Sequence, residues 1–368
     1  MMPPDVIPAL DPNPLPAPYW VFKLLLIVTF FLHILAMNLM LGGGVLALVL
    51  KWRARNHESS GRMFLILAKK LPVFLPATVT LGIAPLLFLQ VLYGQFFYTS
   101  SILMAWPWIL VLVFVALAYY GFYYVSYRGG RPGARAGSVL LLSMILIFVV
   151  GFLISNNLTL SQTPSRWAGK YFGNPQGWNL NLTEPTLIPR YLHFLLSAVA
   201  VGGLLLVLLA SAGWKKDQEY ARPLLHFGGK AFMHATMAQF VVGFLLLVSL
   251  PRELRMLFMG DNLWATGLLL IGVTGGIGAI MIMSGALRQE NVRAAVLYVP
   301  GILVVVIASM SLMREILRDA YLKPYFNPGQ FAVATQWSVL LLFLVFFLAG
   351  VALWFVMLWR YGLFGAKN

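Results

Sequence analysis

Along most of the chain the hydrophobic positions do not alternate with polar ones at strand or amphipathic-helix spacing. They run together in blocks that stop at clusters of charge. Blocks long enough to cross a bilayer, about 20 residues each, fall near 19–50, 63–92, 104–127, 137–157, 189–213, 224–250, 263–287, 292–317 and 333–359. A segment in lipid must satisfy its own backbone, which favours the helix. The pattern therefore predicts an all-α fold, a polytopic membrane bundle of about nine transmembrane helices spanning 19–360. Before it lies a proline-rich tail, 1–18, charged only at Asp5 and Asp11, expected to be extended and solvated. It lacks the basic start and short apolar core of a cleavable signal peptide. A short tail, 361–368, follows the last block.

The charges then orient the bundle. Lys51, Arg53, Arg55 and Arg62 follow the first block, Arg128, Arg131 and Arg135 the third, Lys215, Lys216 and Arg222 the fifth, and Arg288 and Arg293 the seventh. The positive-inside rule assigns these connections to the cytoplasm, with 1–18 outside and 361–368 inside. One outer connection, 158–188, is much longer than the rest and carries Trp167, Tyr171 and Trp178. It reads either as a lid or docking surface or as an interfacial aromatic belt. No internal repeat of the kind seen in secondary transporters is evident.

Composition narrows the chemistry. At 60% hydrophobic and 10% charged residues the chain is no soluble domain. The net charge of +15 is largely accounted for by the cytoplasmic connections, so no nucleic-acid partner is expected. The absence of cysteine excludes disulfides, thiolate metal sites, iron–sulfur clusters and covalently attached haem. Any redox centre must hang on histidine, methionine or carboxylate.

Of the five histidines, His57 falls in a basic connection and His226 at a helix start, where solvated roles suffice. His33, His193 and His234 fall inside apolar blocks, where polar groups are costly and mark functional sites. His193 opens the run Pro189-Arg190-Tyr191-Leu192-His193-Phe194, followed by the small residues Ala198, Gly202 and Gly203. That arrangement suits a buried haem, whose flat ring needs close approach to a backbone; an imidazole bonded to a neighbouring helix is the alternative. His33 precedes Gly42-Gly43-Gly44, which make room for a macrocycle or for a close helix crossing. His234, with Gln239 just over a turn on, could share its depth and form a bis-histidine site. Glu315 and Arg318, three apart, share a helix face and can pair. The carboxylate there is a candidate iron ligand and the arginine a candidate partner of haem propionates, against the plainer reading of an interfacial ion pair.

Several of these stretches resemble the large, haem-bearing subunit of the cytochrome bd quinol oxidases. His33 before Leu41-Gly42, Asn156-Asn157 before Ser161-Gln162-Thr163-Pro164, His193 with its trailing Lys215-Lys216-Asp217, and Glu315-x-x-Arg318 are similar to that family's motifs. The resemblance implies nine spans in a prokaryotic cytoplasmic membrane and b haems at His33, His193 and Glu315; with His234 added from its depth in the sixth block, one to three haems are expected. It also implies a quinone and another membrane subunit. There are departures: Ala105 to Tyr127 contains no acidic residue where the family has oxygen-site glutamates. The connection from Pro251 to Asn262 is short where the family has a long quinol loop, and Leu268, Leu269 and Leu270 stand where it has a methionine ligand. His193 would then need another axial partner, with Met256 and Met259 as candidates. The expected function is that of a membrane b-haem subunit passing electrons between quinone and an outer-side redox protein, such as a multihaem c-type cytochrome. A divergent oxygen-reducing oxidase and a haemless membrane anchor are the rivals.

Overall fold

The apolar blocks become helices and extend well past the hydrocarbon limits set by hydropathy. The computed structural model describes residues 7–130, 135–215, 217–290 and 292–357. Asp5, Arg131, Lys216, the end of the ninth block beyond 357 and the tail 361–368 lie outside the described residues. In order the helices are α1 (Tyr19–Arg53), α2 (Glu58–Leu103), α3 (Ala105–Arg128), α4 (Ala136–Ser161), the short α5 (Trp167–Gly173), α6 (Leu187–Gly213), α7 (Gln218–Ser249), the short α8 (Arg252–Met256), α9 (Leu263–Arg288), α10 (Val292–Leu322) and α11 (Trp337–Met357). Nine of these, all but α5 and α8, are long and apolar enough to cross a membrane. The chain is an all-α, multi-pass membrane bundle.

Small residues decide how its centre packs. A Cβ on Gly42 of α1 would overlap the Ala198 carbonyl of α6, and one on Gly202 would overlap the Gly42 backbone. Across the other face of α6, Gly203 meets Gly228 and Phe232 of α7 in the same way. Gly42, Gly202 and Gly203 are thus taken by crossings and Gly44 by the Met144 side chain of α4, whereas a Cβ on Gly43 would meet nothing nearer than a Leu71 methyl at 3.9 Å. Backbones this close exchange van der Waals and weak Cα–H contacts that replace the missing hydrophobic drive in lipid. α6 is the hub, and its 187–197 end is left free to face something else.

The residues at 7–18 are not wholly solvated as expected. Leu15 and Ala17 are buried, and a parallel backbone pairing joins this segment to the stretch before α11: Leu15 N–H donates to Ala332 O at 2.8 Å, Ala334 N–H to Leu15 O at 2.9 Å and Gln336 N–H to Pro16 O at 2.8 Å. α11 itself has no buried residue. It touches the bundle through Leu340, Leu344, Trp354 and the Phe88–Phe343 ring contact at 5.9 Å.

The long connection folds back on α4 through the Asn156–Pro164 motif. Asn156 Oδ1 accepts the Asn181 N–H at 2.9 Å, and Asn181 Nδ2 donates to Thr159 Oγ1 at 3.3 Å. Trp167 is buried and donates its indole N–H to Leu160 O at 2.9 Å, whereas Trp178 is exposed and stacks on Trp106. So one tryptophan is core and the other sits where an interfacial belt would be. Asn156→Ala leaves a buried backbone N–H unpaired and is expected to cost about 1–3 kcal/mol. Limited proteolysis between 162 and 186 should accelerate in this variant, and unchanged protection would count against the role given to Asn156.

Candidate functional site

At the end of the bundle bearing the long connection, α6, α7, α9 and α10 do not close on one another. They leave a cavity of about 370 Å³, walled mainly by apolar side chains, with Phe30 and Ile34 of α1 completing it. Few polar groups enter it, and His193, Arg190 and Arg314 are the basic ones. His193 packs its ring edge toward Gly243 of α7, where a Cβ would come within 3.3 Å. Its Nδ1 is buried with no hydrogen-bond partner. Arg190, a turn nearer the helix start, donates from Nη1 to Gln162 Oε1 at 3.2 Å, while its Nη2 is buried and unpartnered. The Ser-Gln-Thr-Pro stretch thereby holds one edge of Arg190 and leaves the other free.

Behind the cavity wall lies a dense charge cluster. Glu315, 2% exposed, accepts from Arg318 Nη1 at 2.7 Å and from Arg314 Nη1 at 2.8 Å, and Lys23 Nζ of α1 stands 3.0 Å away. Lys23 also reaches Asp319 at 2.7 Å and the Tyr93 hydroxyl at 2.6 Å. Tyr93 donates to Asp319 at 2.8 Å, with the Tyr19 hydroxyl 2.8 Å off. The guanidinium of Arg314 lies over the Phe30 ring at 3.9 Å. Arg190 is within electrostatic range of both Arg314 and Arg318. Glu184, also nearby, is matched by Arg166 at 3.1 Å. That leaves Lys23, Arg190, Arg314 and Arg318 against Glu315 and Asp319, so cations outnumber carboxylates by two. An unbalanced buried positive charge is costly, and Arg318 Nη2, like Arg190 Nη2, has no partner. Of these cations Arg190 and Arg314 line the cavity, so its end is positively charged.

The other expected residues fall as follows. His33 of α1 directs Nδ1 to the Thr78 carbonyl of α2 at 3.0 Å and packs on Gly82. A carbonyl only accepts, so Nδ1 carries the proton and Nε2 keeps its lone pair. Many ligating histidines donate their other ring N–H to a carbonyl in this way, and so does an imidazole that merely bonds two helices. His33 is within range of Arg314, so it belongs to the same end of the bundle, though it does not line the cavity. His234 is exposed on the outward face of α7, off the buried stripe of Gly228, Gly229, Phe232, Ala235 and Thr236. The fold does not bring His234 and His33 together. Glu315 and Arg318 pair as their spacing suggested, but in the interior rather than at a wet boundary. Met256 and Met259 do not line the cavity, and Met259 is exposed. Sequence reasoning missed Lys23, Arg190 and Arg314; basic residues inside apolar blocks were the available signal. Among the described residues, no three or more of His, Asp and Glu gather as a metal-ion cage.

This architecture is that of a polytopic helix bundle with a mainly apolar cavity bearing His193, Arg190 and Arg314 at one end. No family profile matches the chain, and no curated protein matches it. Among solved structures it is similar to a chain of the bd oxidase from Geobacillus thermodenitrificans, with a TM-score of 0.70 and 15% identity over 94% of this chain and 99% of that one. At this identity the likeness is one of fold.

Proposed function

We propose that the protein is a membrane b-haem subunit of a quinol-linked oxidoreductase, passing electrons between quinone and a redox partner on the side of the 158–188 connection. One observation carries the reading: a lipid-depth cavity whose orphaned imidazole, His193, stands one turn from the orphaned guanidinium of Arg190. A flat apolar ligand with carboxylates at one edge satisfies both, and haem b has that form. His193 would hold the iron through a ring nitrogen, and Arg190 and Arg314 would hold the carboxylates. When bound, haem supplies one-electron chemistry. The chain's own residues hold it, keep water from its face with the Phe232–Phe240 wall, and set its surroundings by the surplus positive charge, which favours the electron-rich state. Quinone would reach the site from the bilayer between α7 and α9, where Phe244 and Val273 both line the cavity and face outward. His33, whose Nδ1 is engaged by Thr78 O and whose Nε2 keeps its lone pair, is the place for a second haem; His234 lies outside this arrangement. The fold likeness to a bd oxidase supports the redox class. The empty acidic complement of α3 favours electron transfer over oxygen reduction.

A pyridine haemochrome assay on the purified protein tests this by giving haem type and stoichiometry together. At least one b haem per chain is expected, and His193→Ala should remove one equivalent while leaving the bundle folded. Colourless but intact wild-type protein would instead favour the anchor reading.

A further inference from the structure

At the end of the bundle opposite the cavity, α7 carries a line of basic side chains that the redox reading does not use. Arg222, His226, Lys230 and His234 recur every four residues, so they fall on one side of the helix. Two of them meet the turn between α9 and α10: Arg222 Nη2 lies 2.8 Å from one Glu290 oxygen, and His226 Nε2 lies 3.8 Å from the other. Glu290 has a φ of 50°, a left-handed backbone that non-glycine residues seldom adopt. Such a conformation persists where its surroundings hold it, and here α7 does so.

The next turn of α7 touches α9 directly. A Cβ on Gly229 would come within 2.8 Å of the Leu287 side chain, and Lys230 and Arg288 are the residues that follow on each helix. Both are exposed, as is Arg293 at the start of α10. Among the described residues none of these three forms an ion pair. Set against Glu219 and Glu290, the cations Arg222, Lys230, Arg288 and Arg293 leave two positive charges over.

Depth makes Lys230 the informative member. α7 is 32 residues long, about 48 Å at 1.5 Å per residue, so a hydrocarbon layer of about 30 Å centred on it begins about 9 Å from either end. Lys230 stands twelve residues in, its backbone about 9 Å inside that layer. An ammonium there is costly unless it reaches the interface or a partner. Helical side chains lean toward their own helix start, so the lysine stem runs back to the level of lipid phosphates. His234, a further turn in, is beyond their reach.

We propose that this corner, where α7, α9 and α10 meet, binds an anionic phospholipid of the cardiolipin class, whose two phosphates match the two uncompensated charges. Basic pockets between membrane helices take such headgroups. The acyl chains would lie along Met237 and Val241 of α7 and Ile277 and Met281 of α9, all exposed. The site does not depend on the haem-binding reading.

Native mass spectrometry and thermal unfolding of the full chain in detergent, titrated with cardiolipin, test this, with phosphatidylethanolamine and inorganic phosphate as comparison probes. Saturation at one cardiolipin per chain is expected, with a rise in unfolding temperature that the other two do not give. Lys230→Leu and Arg288→Gln should each weaken binding about fivefold, the factor for about 1 kcal/mol per basic residue at a membrane surface. Arg128→Gln, which removes an exposed cation from α3, a helix packed on α2 and α4, should leave binding unchanged, and so should His234→Leu. Equal losses in Lys230→Leu and Arg128→Gln would reduce the effect to general attraction by a basic end and overturn the site. Binding that never saturates, or full competition by inorganic phosphate, would overturn it too. So would a small membrane polypeptide that leaves the protein in both Lys230→Leu and His234→Leu, since a helix rather than a lipid would then cover the line.

Discussion

Glu315→Gln is expected to destabilise the protein by roughly 3–5 kcal/mol, the usual cost of removing one partner from a buried charge group. The substitution keeps the volume, so packing is not the cause. Glu315 is the one carboxylate shared by Lys23, Arg314 and Arg318, and without it Arg318, whose side chain is 2% exposed, has no counter-charge. Thermal unfolding in detergent at neutral pH measures the loss. Adding Lys23→Met should recover part of it, because one surplus cation is then gone. A single variant within about 1 kcal/mol of wild type, the range of solvated pairs, would show that the cluster is wet. An anionic ligand at the Arg190 edge should stabilise the wild type and the Gln variant alike, since it binds the surplus rather than the shared carboxylate.

Gly42→Leu should be nearly as damaging for a different reason. The new side chain would have to occupy the position of the Ala198 carbonyl and the Gly202 backbone, atoms that cannot rotate aside. The expected cost is at or above the top of the roughly 1–3 kcal/mol typical of overpacking, seen as loss of monodisperse protein on size exclusion. Gly43→Ala is the matched control: the nearest atom to its Cβ would be a Leu71 methyl at 3.9 Å, and normal behaviour is expected. If both variants behave alike, close approach of α1 and α6 is not what the glycine run provides.

The nine spans were legible because a continuous apolar block has one solution in a bilayer. Their ends were less so. The end read at 92 falls on a real break, since Tyr93 has a non-helical backbone (φ −134°, ψ 31°) that kinks α2, but a helical piece then runs on to Leu103, through Gln95, Thr99, Ser100 and Ser101. These hydroxyls in fact bond back to their own helix, Thr99 to Gln95 O at 2.7 Å and Ser101 to Phe97 O at 2.8 Å, so they do not end it. The pairing of Glu315 with Arg318 was visible in a spacing of three, but Lys23 and Tyr93 come from other helices and no local pattern announces them. His234 seemed equivalent to His193 because a lipid-facing stripe and a core stripe are both apolar here, which hides the rotation of a helix from its sequence. The cavity is made from several helices at once, so only its histidine was noticed singly, and Arg190 and Arg314 were not.

The pairing of Leu15 with the stretch before α11 bears on how the molecule is assembled. α11 has no fully buried residue and meets the bundle through only a few side chains, while main-chain bonds from residues preceding α1 fasten its leading end. Eight helices must therefore already be inserted before that fastening can form, and its loss should free α11 without disturbing them. Deleting residues 7–17 would be expected to leave the cavity intact and α11 open to protease or cross-linker, making this short ladder the last clasp to close during biogenesis.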